Sequence, residues 1–447
     1  MVARIGDQKE AMTTAVSTHS DLLDRWPTLS TEARLKQFHA LPREEADDFF
    51  LDIPAHDQAE LIRAMATGER RLWLRLLAPD DAADLVQEFE ADQRDEILGD
   101  LDESTRSEVG GLLAYKEDMA GGRMSPRFSR LRPESTVDEA IAYLRRQAKE
   151  VETIYYAYAV DDEQHLLGVV SLGDLFVAER TKRVKDVMRT SFVSVRENAD
   201  QEEVAKLFRQ HHLLAIPVVD GAQHIKGIIT IDDIVSVLQE EASEDIQKMG
   251  GSEVLDGPYL EVSFLEMVKK RAGWLAILFV GEMLTATAMG YFADEIAKAV
   301  VLALFLPLII SSGGNSGSQA TTLVIRAMAL GEVRLRDWFR VIRRELCVGV
   351  VLGTALAAIG LIRILVWQKI SGAYGAHYLL LALTIACSLI GVVTFGTIAG
   401  SMLPFILRRC GLDPASASAP FVATLVDVTG LVIYFTFAAA ILRGTLL

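Results

Sequence analysis

Hydrophobic and polar positions change rhythm three times along this chain. From about residue 27 to 116, short stretches open with proline or a capping residue. Acids follow, then apolar residues: PREEADDFF from Pro42, PAHDQAELI from Pro54, PDDAADLVQ from Pro79, ADQRDEIL from Ala91 and DESTRSEV from Asp102. Proline at the first helical position loses no hydrogen bond, and acids there complement the helix dipole. A spacing of about 12 residues predicts short helices stacked as a solenoid. An acidic helical bundle without a site of its own accounts for the same pattern.

The second rhythm is a repeat. GVVSLGDL (Gly168–Leu175) returns 59 residues later as GIITIDDI (Gly227–Ile234). Each copy follows a strand-like run, YYAYAVDDEQHLL or LLAIPVVDGAQHI, and each is preceded by an amphipathic helix, TVDEAIAYLRRQ or DQEEVAKLFRQH. The alternation predicts two βαββα units. In tandem they resemble a pair of CBS domains, through Gly168, Ser171 and Asp174 in one copy and Gly227, Thr230 and Asp233 in the other. In CBS domains that bind adenosine nucleotides this Asp can hold ribose hydroxyls. The resemblance therefore makes Asp174, Thr230 and Asp233 candidate nucleotide residues and ATP a candidate ligand, without showing that a nucleotide binds.

The stretch from Ala242 to Trp274 then leads to the third rhythm. Gly250-Gly251 and Gly257-Pro258 predict a break. EVSFLEMVKKR reads as an amphipathic, interfacial helix ending in three cations, a lever between soluble and apolar halves. Five apolar segments follow: Ala272–Phe292, Ala299–Met328, Leu346–Trp367, Tyr378–Ile406 and Pro420–Leu442. Each can supply the roughly 20 residues that a membrane-spanning helix needs.

Charge sharpens this division. From Arg271 onward there are 13 Lys/Arg and 8 Asp/Glu, whereas residues 1–270 hold 32 basic and 53 acidic residues. The acidic half is a poor nucleic-acid binder, because that function needs cationic surface. Its acids serve solubility or attract cations. Cys347, Cys387 and Cys410 all lie in the apolar half without metal spacing, so neither a disulfide framework nor a zinc site is expected. The first 25 residues contain no signal-like apolar run. Cations before the first span (Lys269, Lys270, Arg271), after the second (Arg326, Arg334, Arg336, Arg340, Arg343, Arg344) and after the fourth (Arg408, Arg409) outnumber those at the other ends. The bias places the N-terminal half in the cytoplasm and the C-terminus on the opposite side of the plasma (inner) membrane.

Two features inside the spans carry chemistry. The second span contains SSGGNSGSQ from Ser311 to Gln319, entered by Pro307. Polar backbone and side chains at membrane depth face protein or a water-filled cavity. Tight packing through Gly313, Gly314 and Gly317 is the plainer account. The fifth span places Asp427 in PFVATLVDVTGLVIYF, with Ala423 four residues earlier on the same helix face. A mid-membrane carboxylate costs about 2.5–3.5 kcal/mol and is a functional candidate by default; a structural Asp satisfied by a neighbouring Ser or Asn is the alternative. Glu282, in VGEMLTATAMG of the first span, is a weaker case that a packed interface explains as well. Glu345 beside Arg343-Arg344 reads as an interfacial charge.

The order of parts, with EDMAGGRM (Glu117–Met124), SEDIQKMGG from Ser243, PLIISSGGNSGSQATT and PFVATLVDVTG, resembles the MgtE family of magnesium transporters. The resemblance covers nearly the whole chain beyond about the first 25 residues. It implies a multidomain membrane protein with an α-helical N-terminal solenoid, an α/β tandem CBS pair, a connecting helix and a five-helix transmembrane domain. The expected division is 1–26 tail, 27–130 N domain, 131–186 and 187–245 CBS domains, 246–271 connecting (plug) helix and 272–447 transmembrane domain. It further implies a homodimer in lipid with a pore at the dimer axis, lined by the second and fifth spans. Pore Mg2+ would meet Asp427, the backbone carbonyl of Ala423 and Asn315, with Pro307, Gly313, Gly314, Gly317 and Gln319 as the pore-lining motif.

One carboxylate per chain suits Mg2+, which binds oxygen and gives up its waters reluctantly. The expected mechanism is a magnesium-selective channel closed by cytosolic Mg2+ bridging carboxylates of the N domain, CBS pair and connecting helix. Candidates are Asp92 and Asp95, Asp220 and Asp232, and Glu244, Asp245, Glu253 and Asp256. A membrane-anchored Mg2+ sensor without transport and a CBS-regulated anion channel are the alternatives. The buried Asp and the absence of a basic pore residue speak against the channel for anions. No catalytic motif, zinc cluster or P-loop points to an enzyme.

Overall fold

The computed structural model describes residues 19–255, 257, 259–260, 262–372 and 374–446. The chain divides into two compact units, residues 1–240 and 241–447.

Among the described residues of the first unit, eight short helices come first: α1 (His19–Arg25), α2 (Thr31–Phe38), α3 (Arg43–Asp52), α4 (Ala55–Ala64), α5 (Thr67–Leu74), α6 (Pro79–Gln87), α7 (Ala91–Asp100) and α8 (Glu103–Leu112). Most pack on the next helix but one, as a solenoid does: α1 on α3, α2 on α4, α4 on α6, α5 on α7 and α6 on α8. Only Pro79 takes the first helical position; Pro42 and Pro54 occupy the N-cap, where their extended backbone turns the chain into the helix. Phe38, Phe50 and Trp73 form an aromatic centre, with Trp73 4.7 Å from Phe38 and 5.5 Å from Phe50 between ring centroids.

The two βαββα units follow. The first has β1 (Arg130–Leu131), α9 (Val137–Gln147), β2 (Tyr156–Val160), β3 (Leu166–Ser171) and α10 (Leu172–Val177), followed by α11 (Val184–Val187). The second has β4 (Val195–Arg196), α12 (Gln201–His211), β5 (Ala215–Val219), β6 (Ile225–Thr230) and α13 (Ile231–Met249). In both sheets the short first strand runs parallel to the second and the hairpin is antiparallel, with the same register shift near its end. The two hairpins meet reciprocally. Leu166 N donates to Gln223 O at 3.0 Å, Ile225 N to Gln164 O at 3.1 Å, and the rings of His165 and His224 stack at 4.4 Å. Apolar residues of α12, β5, β6 and α13 join the solenoid core, so the helical domain and second CBS domain share one interior.

The connecting region departs from expectation. No single helix covers 246–271. Instead α13 continues from the second CBS sheet to Met249, where Gly250 and Gly251 end it; Gly251 has φ +75°. A new helix, α14 (Phe264–Tyr291), starts under the Ser263 N-cap. The expected interfacial helix is therefore the first two turns of the first span. A short α15 (Ala293–Lys298) leads to α16 (Leu306–Ala329), α17 (Trp338–Ser371), α18 (Tyr378–Arg409) and α19 (Ala419–Leu442). Among the described residues, five helices are long and apolar enough to cross a membrane. Arg340, Arg343 and Arg344, expected in a loop, occupy the first turns of α17, because helix formation there saturates the backbone before the apolar run begins.

α18 is the centre of the membrane unit and glycines set its spacing. A Cβ on Gly396 would overlap the carbonyl of Gly313, and one on Gly400 the carbonyl of Gly317. Thr321 Oγ1 closes the same seam, donating to Gly400 O at 2.8 Å. The small-residue approach of α16 and α18 is the packing mode expected in lipid, where no hydrophobic force drives helices together.

Candidate functional site

The polar stretch of α16 divides by helix face. Gly313 and Gly317 are buried against α18 and α19, and neither lines the cavity described next. Gln319 is exposed, two turns along the face that carries Ser311 and Asn315, but lies outside the cavity described next. A cavity of about 670 Å³ is bounded by Met289 of α14, by Ala303, Leu306, Pro307, Ile310, Ser311, Gly314 and Asn315, and by Ala423 and Asp427 of α19. Five of the expected pore residues, Asp427, Ala423, Asn315, Pro307 and Gly314, are thus gathered in one place.

Local rules explain the convergence. Ser418 caps α19, accepting from Phe421 N at 3.3 Å, and Pro420 fits the first turn. Asp427 follows Ala423 by one helical turn. Gly314 lies against Ala423 of α19, where a Cβ on it would make only ordinary contact, 3.5 Å from Ala423 Cα. Asn315 Nδ2 donates to Ser311 Oγ at 3.4 Å, within the same polar stripe. Glu282 of α14 stands within hydrogen-bonding reach of Asp427. Among the described residues no three His, Cys, Asp or Glu side chains converge as a metal cage. Such an arrangement suits an ion that keeps its water shell.

The soluble acids sort differently from expectation. Asp92 and Asp95 lie exposed on α7 and join no other candidate. The helical domain instead supplies Asp80, Asp81 and Asp84 of α6, which face Glu152, Asp232 and Asp233. Burial pushes the Asp80 carboxyl well up, and the charges of Glu152 and Asp233 push it further. Asp84 is raised to about 7 by burial, even though Arg123 lies 3.1 Å away. Asp81 has an exposed side chain, so solvent screens it more than its neighbours. Asp80 and Asp81 were legible only as first-turn dipole partners, a role that accounted for them fully, and Asp84, a turn further on, carried no signal of its own.

Asp220 is taken by its own turn. It accepts from Ala222 N and His224 N at 2.9 Å each, and Lys226 lies 3.3 Å away. The His224 contact first, with these backbone bonds, holds its carboxyl far below the usual range. Asp174 pairs with Arg189 at 3.1 Å. Thr230 Oγ1 donates to Asp233 at 2.6 Å.

In the second unit Glu244 pairs with Lys248, and Asp245 is raised to about 6 by burial and by Asp413. Sequence reasoning missed Asp413, in the connection between α18 and α19. Its signal was an Asp-Pro helix cap: its carboxylate accepts from Ala415 N at 2.8 Å. Glu253 lies near Gly273 without joining this group. Asp256 lies outside the described residues.

The comparisons with known proteins bear on both places. The family profile described as "Divalent cation transporter" spans residues 306–437, the MgtE intracellular N domain 18–118, and CBS domains 118–180 and 184–240. The magnesium transporter MgtE of Thermus thermophilus is 39% identical over 429 residues, 95% of this chain and 93% of that one. The chain belongs to the MgtE family of magnesium transporters. MgtE proteins of Enterococcus faecalis and Bacillus subtilis are 35% and 30% identical, over 75% and 92% of this chain and 72% and 89% of theirs. The solved cytosolic domain of the Mg2+ channel MgtE in complex with ATP is 36% identical, with a TM-score of 0.47. It covers 53% of this chain and 97% of that chain. Matches to inosine-5'-monophosphate dehydrogenases are confined to CBS sequence, such as 34% identity over 104 residues, so they carry no enzymatic meaning. MgtE membership makes this a multi-pass magnesium transporter, not an enzyme.

Proposed function

We propose that two copies of this chain form a channel for Mg2+ at their twofold axis, with Asp427 of each facing the ion through its water shell. The observation that carries the proposal is the cavity that joins Asp427, Ala423, Asn315, Pro307 and Gly314 within an otherwise apolar bundle. Ser311, Asn315 and Gln319 form an exposed polar stripe at i, i+4 and i+8 on α16. Lipid penalises such a stripe, whereas a second copy across a wet path satisfies it. A sparse site binds weakly enough to release its ion, as conduction requires.

The ion enters the cytoplasm down its electrochemical gradient, with the soluble half cytoplasmic and the C-terminus on the other side. Rising cytosolic Mg2+ closes the path by binding between acids that otherwise repel. The group Asp80, Asp84, Glu152 and Asp233 is the strongest such sensor, and Glu244, Asp245 and Asp413 form a second near the membrane unit. Closure requires that the ion bind the compact state better than the open one. An adenosine nucleotide is a further candidate effector. Its ribose would compete with Thr230 for Asp233 and with Arg189 for Asp174.

The test is Mg2+ uptake into liposomes holding the purified chain, with Asp427→Ala beside the unaltered protein and folding checked in both. Uptake that collapses in the variant supports the path at Asp427. Equal uptake in both moves the path elsewhere. Ion-dependent compaction without uptake in either favours a sensor, and chloride flux indifferent to Asp427→Asn favours an anion channel.

A further inference from the structure

We propose that Glu282 is a second acid of the ion path, one that sets how tightly the hydrated cation is held beside Asp427. The inference rests on the reading that Mg2+ passes at Asp427. α14 packs on α19 at a crossing that Gly281 makes close: a Cβ on Gly281 would come 2.9 Å from the Thr424 methyl group. The next residue, Glu282, thereby reaches the carboxyl of Asp427, three positions beyond Thr424. Seven residues further along α14, two turns away on the same face, Met289 lines the cavity. α14 therefore bounds the cavity through Met289, and Glu282, outside the lining itself, stands beside Asp427, which lines it.

The chemistry of Glu282 demands a partner. A carboxylate at this depth is costly. Its side chain is exposed in the single chain, and it forms no ion pair with a Lys, Arg or His of the described residues. Asp427 is itself acidic, so the neighbour the structure gives Glu282 repels rather than neutralises it. A divalent cation between or beside the two carboxyls satisfies both. Mg2+ keeps most of its waters in sites of few ligands, and a second charge then acts through the hydration shell, strengthening the hold without forming a cage. Stronger hold lowers the concentration for half-saturation and slows release.

The experiment measures initial Mg2+ uptake against external Mg2+ in liposomes for the full chain, Glu282→Gln, Glu282→Asp and Asp427→Asn. Glu282→Gln is expected to raise the half-saturating concentration about five- to ten-fold, the effect of one unit charge on a divalent ion at hydrated distance in a high effective dielectric. Its maximal rate is expected to stay level or rise, and Glu282→Asp to restore most of the saturation behaviour. Unchanged half-saturation in Glu282→Gln overturns the inference, as does a lower maximal rate with unmoved half-saturation, which marks a structural role. If Glu282→Gln does not fold, Glu282→Ala takes its place, and an unchanged half-saturation in that variant also overturns the inference. Asp427→Asn separates the two proposals: full uptake in that variant removes the underlying reading, whereas lost uptake with an inert Glu282→Gln removes only this one.

Discussion

The ammonium of Lys248 lies 2.6 Å from a carboxylate oxygen of Asp413, a partner 165 residues away. Lys248 sits in the last turn of α13, where a cation also complements the helix dipole. Glu244, Asp245 and Asp413 surround it, so the lysine occupies the place that a bridging cation would take. If the gating proposal holds, Lys248 and Mg2+ compete. Lys248→Met is then expected to lower by about three- to ten-fold the Mg2+ concentration that half-closes the channel. Liposome uptake at graded Mg2+ on the side of the soluble domains measures it. A higher closing concentration would mean that the lysine itself holds the closed state.

Asp80 and Asp84 give the ion-free protein a pH dependence of definite sign. Folded Asp84 loses its proton at about 7 and Asp80 also well above the usual 3.8, so the folded state binds more protons than the unfolded chain in between. Stability contributed by these groups is present at low pH and is lost as pH rises through about 7. Thermal unfolding of the full chain in detergent, without Mg2+, should show a midpoint that falls between pH 5.5 and 8. The double variant Asp80→Asn, Asp84→Asn should flatten that slope. Added Mg2+ at pH 8 should restore the midpoint only in the unaltered protein and should release protons at pH 7.

Gly396 and Gly110 should respond oppositely to the same change. Gly396→Ala drives a methyl group into the Gly313 carbonyl and is expected to destabilise the membrane unit by about 1–3 kcal/mol. Gly110 lies exposed in α8 with nothing within 4 Å of its absent Cβ, so Gly110→Ala is expected to stabilise by about 0.5–1 kcal/mol. Unfolding midpoints in detergent, read separately from soluble-domain and membrane-helix probes, distinguish the two.

Asp220 should behave as a turn residue and not as a sensor. Its depressed carboxyl contributes stability at neutral pH that is lost as pH falls through the usual carboxylate range toward its folded value. Asp220→Asn is expected to lower the unfolding midpoint at pH 7 while leaving the Mg2+ concentration for channel closure unchanged. A shifted closing concentration would return Asp220 to the regulatory set.

Legibility tracked the range of the interaction. The repeat at Gly168 and Gly227, the five apolar segments and the acid-led helices are set by neighbours within a few residues, and each was readable. The break at Gly250-Gly251 was readable for the same reason. The extent of α13 and α14 was not, because EVSFLEMVKKR is amphipathic by itself and only its continuity with the apolar run makes it part of a span. Among the site residues, Asp427 stood out because its cost in lipid needs no partner to be recognised.

Composition and periodicity alone determined the helical, βαββα and membrane parts, their order, and the presence of a carboxylate in the fifth span. Tertiary structure decided which polar groups meet. It turned Gly313 and Gly317 toward α18 and Gly314 and Asn315 toward the cavity, a split by helix face that needs the neighbouring helices. It also assembled Asp80 and Asp84 with Glu152 and Asp233, and Asp245 with Asp413, while leaving Asp92 and Asp95 in solvent. The reason is physical: a carboxylate's role depends on burial and on charges brought from distant segments, and neither quantity is written in the residues beside it.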